Sequence, residues 1–143
     1  MMTAHMRLVL IVIGVLLVSA TPTAAVPEAK VIANLDVTVS EVSREELRGI
    51  LLATRTSLGD VHVEPVLLKS GSVHEALVRE ITGKTATGLG NYYRSLVFTG
   101  KGAMPTTFAS EAEVVAYVRA HKGAIGYVSP STPTDGVKVL VVK

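Results

Sequence analysis

Hydrophobic residues follow two different spacings in this chain. Residues 8–18 (LVLIVIGVLLV) are apolar without a break, whereas from Lys30 onward apolar positions come in short β-branched runs or at helical intervals. Residues 30–39 (KVIANLDVTV) begin β-branched and predict a first strand followed by an extended turn. Ser43 with Glu46 has the spacing of a capping box, and Leu47, Ile50, Leu51 and Thr54 place one apolar stripe on the helix it opens. Gly59 and Asp60 break that pattern. Residues 61–68 (VHVEPVLL) predict a second strand, with Pro65 marking an edge or a bulge. After the turn Lys69-Ser70-Gly71-Ser72, a second capping box is expected from Ser72 and Glu75, and Val73, Leu77, Val78 and Ile81 form the apolar face of a second helix capped by Gly83. Leu89, Tyr92, Tyr93 and Leu96 predict a third helix ending near Phe98. Ser110 and Glu113 open a fourth, carried on by Val114, Val115 and Val118 towards His121. Residues 124–128 (AIGYV) and 137–142 (VKVLVV) read as the closing strands, joined by a loop over 130–136.

The expected order is β-α-β-α-α-α-β-β, without repeats or an internal linker. Strands separated by helices imply right-handed crossovers, so a single α/β domain with a mixed sheet and helices on both faces is predicted.

The uninterrupted apolar run changes the expected location. His5 and Arg7 precede it, and residues 19–25 (SATPTAA) are small with a helix breaker, which is the plan of a secretory signal peptide. Its 11 residues fall short of the ~20 needed to cross a bilayer core. Residues 1–25 are therefore read as a leader cut after Ala25, with Ala20 the other candidate and an uncleaved anchor the alternative. The domain is then 26–143, periplasmic or secreted.

Composition narrows the chemistry. The 143 residues are 48% hydrophobic and 18% charged with a net charge of +2, too apolar and too weakly charged for disorder. With no cysteine there is no disulfide framework, thiolate metal site or cysteine nucleophile. Lys and Arg form no cluster that would track phosphates, so nucleic acid is not an expected partner.

Catalytic signatures fail on spacing. Gly83-Lys84-Thr85 imitates the end of a phosphate-binding loop, but the required first glycine would fall at Val78. His74-Glu75 lacks a second histidine at position 78, and no G-x-S-x-G or S-x-x-K pair occurs. His62, His74 and His121 have no metal-ligand spacing and are expected at the surface or at helix ends. No enzyme activity and no cofactor or metal are expected.

One run has the placement for binding. Lys69-Ser70-Gly71-Ser72 leaves a strand and enters a helix, where free amides meet the positive end of a dipole. Gly71 permits close backbone approach, the hydroxyls add donors and Lys69 adds a charge. Two compatible readings stand: Ser72 simply caps the helix, or the amides hold an anion. Thr99-Gly100-Lys101-Gly102 either ends the third helix or forms a second amide concavity with Lys101. Tyr127 either projects its hydroxyl into a cleft or covers the core.

The early VIAN strand, SREELRGI from Ser43, FTGKG from Phe98, P-x-x-F-x-S-E-x-E-V from Pro105, the Ser70-Gly71-Ser72 turn and GAIGYV from Gly123 together resemble a known family. The chain is similar, over roughly residues 30–143, to the phosphate-type periplasmic substrate-binding proteins of ABC transporters, and most to their short secreted relatives. That resemblance implies the type 2 periplasmic-binding-protein fold, here as a single lobe. It also implies phosphate or a related oxyanion as ligand, the family's serine-glycine-threonine turn corresponding to Ser70-Gly71-Ser72. An ABC permease or another envelope protein is the implied partner, and two copies could pair to rebuild a two-lobed clamp. Two departures stand out. Val66-Leu67-Leu68 occupy the place of the family's arginine before the turn, and Leu58-Gly59-Asp60 the place of its tryptophan. A lobe that keeps the fold without a ligand, as an accessory or interaction protein of the envelope, is the alternative.

Overall fold

A computed structural model describes residues 29–143. The leader expected over 1–25 lies outside the described residues.

Strand β1 (Lys30–Ala33) is shorter than its apolar pattern suggests. Asn34 ends it: its side-chain oxygen accepts from the Asp36 amide, while its amide group donates to the carbonyls of Val118 and Arg119. A side chain bonding its own backbone two residues on turns the chain out of the ladder. Then follow β2 (Glu41–Val42), α1 (Arg44–Leu51), the small hairpin β3 (Ser57–Leu58) and β4 (Val61–His62), and β5 (Glu64–Leu68). Helices α2 (Ser72–Thr82) and α3 (Ala86–Phe98) lead to β6 (Thr106–Phe108), α4 (Glu111–Ala120), β7 (Ala124–Val128) and β8 (Lys138–Val142).

Six strands form one mixed sheet in the order β2-β8-β1-β7-β5-β6. β1 is antiparallel to both β7 and β8, whereas β5 runs parallel to β7 and β6. The strand expected over 61–68 is split at Val63 between the hairpin and the main sheet. Pro65 lies on neither an edge strand nor a break. The Glu64 amide donates to the Gly123 carbonyl, so by alternation the Pro65 nitrogen faces the opposite side, where pairing with β6 begins only at Val66.

Helices cover both faces, and two consecutive residues of β7 show it. A Cβ on Gly126 would meet Val114 Cγ1 of α4 at 2.8 Å, so only glycine lets α4 lie this close. The next residue, Tyr127, points to the opposite face and meets His74 of α2. All five residues of β7 are buried, as expected of a strand covered on both sides. The predicted α/β class, mixed sheet and two-sided helix cover are what the chain adopts.

Candidate functional site

The turn between β5 and α2 stands at the carboxyl end of a parallel strand, the position where open α/β sheets present ligand sites. Its helix start differs from the expected one. Gly71, not Ser72, is the N-cap, with φ 111° and ψ 164°, and no side chain caps the helix. That shift of one residue makes His74 the third helical position in place of Glu75, so the expected Ser72–Glu75 capping box does not form. A φ of 111° is a conformation that side chains disfavour, which is why glycine stands there.

The first amides of α2 are consequently left over. Among the described residues, no carbonyl or side chain accepts from the amides of Ser70, Gly71, Ser72 or Val73; the first closing bond runs from Glu75 to the Gly71 carbonyl. The other three described helices are all capped, by Ser43, Thr85 and Ser110. Ser70, Gly71 and Ser72 line an open cleft of about 370 Å³. Its opposite wall is Ala109, Ser110 and Glu111, at the start of α4, a wall that the sequence patterning did not point to. Ser110 there caps its own helix, and Glu111 accepts from the amide and hydroxyl of Ser129 and from the Thr132 hydroxyl. The positive side of the cleft is therefore the uncapped start of α2, and the other side carries a carboxylate already bound to the chain.

The remaining candidates lie elsewhere. Lys69 is exposed, its amide donating to the Phe108 carbonyl at 2.9 Å, and it borders a neighbouring cavity of about 200 Å³. Lys101 borders a third cleft of about 320 Å³ with Glu64 and Pro65, at the far end of β5 from the turn. Tyr127 is 2% exposed, beneath the turn rather than lining it, and burial pushes its hydroxyl pKa well above the ordinary tyrosine value. Of the two readings of Tyr127, the structure has it in the core. His74 departs from its expected surface position: it is 5% exposed, and burial lowers its pKa. Its signal was the spacing of positions 74, 77, 78 and 81, which puts it on the apolar stripe of α2.

No protein-family model matches this sequence, and no curated protein sequence matches it. Solved structures do. A putative phosphate ABC transporter substrate-binding protein from Clostridium perfringens, with bound phosphate, matches over 80% of this chain and 44% of its own, at TM-score 0.62 and 19% identity. A possible phosphate binding protein from Planctomyces limnophilus matches over 80% and 41%, at TM-score 0.56 and 18% identity. PstS from Borrelia burgdorferi matches over 80% and 47%, at TM-score 0.54 and 12% identity. The matched region thus spans less than half the length of each of these proteins. At such identities the likeness is one of fold: this chain has the periplasmic-binding-protein-like α/β fold of phosphate ABC transporter substrate-binding proteins.

Proposed function

We propose that this protein is an exported, non-catalytic solute-binding module that holds phosphate or a related small oxyanion at the start of α2. The observation that carries this reading is the uncapped helix start: the amides of Ser70 to Val73 have no acceptor from the chain itself, and these residues line an open cleft. Backbone amides at the positive end of a helix dipole suit a compact anion. The hydroxyls of Ser70 and Ser72 add donors, and Lys69, the residue before Ser70, adds a positive charge nearby. A bound phosphate in the C. perfringens neighbour supports the choice of ligand class. The leader-like residues 1–25 support export to the periplasm or beyond. An ABC permease or another envelope protein is the proposed partner.

Titrating the isolated protein with phosphate and with sulfate by calorimetry tests this. Measurable heat is expected with either anion in the wild type. Gly71→Ala, forced out of its φ of 111°, should lose it. A wild type silent at millimolar anion overturns the ligand claim.

A second reading is favoured by Glu111, whose carboxylate shares the cleft and works against an anion. In that reading the lobe keeps its fold as a ligand-free accessory protein of the envelope. A crosslinked partner complex that forms equally with and without phosphate would support it.

A further inference from the structure

One buried side-chain pair ties together the two ends of the turn. Tyr127 accepts a hydrogen bond at 3.2 Å from the amide of Leu68, the last residue of β5. Its hydroxyl also contacts Nδ1 of His74, the third residue of α2. The two ring planes are nearly parallel, 13° apart, with centroids 6.0 Å apart, so the rings meet end to end through that contact. Donor counting sets the directions. An amide only donates, so the Tyr127 oxygen accepts from Leu68; the phenolic proton then needs an acceptor, and His74 Nδ1 provides it. His74 is thereby neutral, with its own proton on Nε2. Other titratable groups near the ring are Glu75 on its own helix, and Lys69 from the turn and Tyr93 from α3, which border the same cavity.

We propose that Tyr127 and His74 are positioning residues for the anion turn. Their bridge sets the spacing between the end of β5 and the first turn of α2, and so aims the free amides of Ser70 to Val73 into the cleft. A preordered turn has less conformational freedom to lose when an anion arrives. For its ligand the proposal rests on the anion reading above; its geometry stands without it.

The test combines sulfate titration near pH 7.5 with backbone NMR order parameters, sulfate being chosen because its charge does not change there. Tyr127→Phe removes both bonds and is expected to weaken sulfate binding about tenfold. Order parameters over residues 70–73 should drop while those of β1 hold. His74→Leu, lacking an acceptor, should behave the same way, and His74→Gln, a neutral acceptor, should restore binding and order. Leu140→Ala opens a core cavity on β8, away from the turn, and should leave both readouts unchanged. Unchanged order over 70–73 in Tyr127→Phe and His74→Leu overturns the proposal, as does equal loosening in Leu140→Ala. If the wild type binds no sulfate while Tyr127→Phe still loosens the turn, the anion reading falls and the positioning role stands.

Discussion

His74 lies 5% exposed with its ring against Tyr127, and burial holds its pKa below the ordinary histidine value, with Glu75 opposing. The unfolded chain therefore takes up a proton at this residue near pH 6.5, before the folded chain does. Its stabilising contribution is present in full above that pH and is lost as pH falls through the lower folded value. Urea midpoints followed from about pH 8 to about pH 5.5 should decline more steeply in the wild type than in His74→Gln. Parallel curves would refute a buried neutral histidine. Tyr93 has no such role: burial, with Tyr92 beside it, raises its pKa to about 12, and its hydroxyl bonds the Leu51 carbonyl. The alternation Ile125-Gly126-Tyr127 told that Gly126 and Tyr127 face opposite ways, but not which face a helix would occupy. Only the placement of α2 decided that the tyrosine hydroxyl is enclosed.

Helix starts carry much of what was readable in the sequence. Ser43 with Glu46 and Ser110 with Glu113 form the reciprocal bonds that their spacing predicts. The same spacing at Ser72 and Glu75 forms nothing, because the glycine before it takes the cap position. This difference is measurable. Ser110→Ala should cost about 1 kcal/mol in urea denaturation, whereas Ser72→Ala should cost nothing measurable. A comparable loss at Ser72 would show that its side chain caps α2 after all. Short edge elements escaped the patterning. β2 has two residues and β6 three, too few for alternation to register, and both exist through their partners: β8 pairs with Glu41 and Val42, and β5 with residues 106–108. Residues 61–68 read as one strand because hydropathy does not record that Val63 bonds back to Thr56 while Glu64 turns to Gly123.

The chain as a unit presents the turn of Ser70, Gly71 and Ser72, the proposed anion site, along an open cleft of about 370 Å³, and the matched region is under half the length of its structural neighbours. An anion held from one side keeps much of its hydration, and salt screens what charge attraction remains. A second copy of the chain facing the first would enclose it. Ultracentrifugation with and without phosphate should then show the ion raising the dimer fraction. A mass independent of phosphate would leave each copy to bind alone.

Local order along the chain was enough to set the α/β class, the four helices of the described residues, two of their N-caps, the Gly83 C-cap and the strand-turn-helix step at Gly71. Each of these depends on neighbours a few residues apart, whose spacing is the cause. What folding in three dimensions decided involves distant partners. The wall at Ser110 and Glu111 stands opposite residues some forty positions earlier. The bridge from Leu68 through Tyr127 to His74 joins one strand to a helix by way of another strand. Lys101 is carried to the other end of β5. No periodicity encodes such contacts, since they follow from the order in which strands lie side by side.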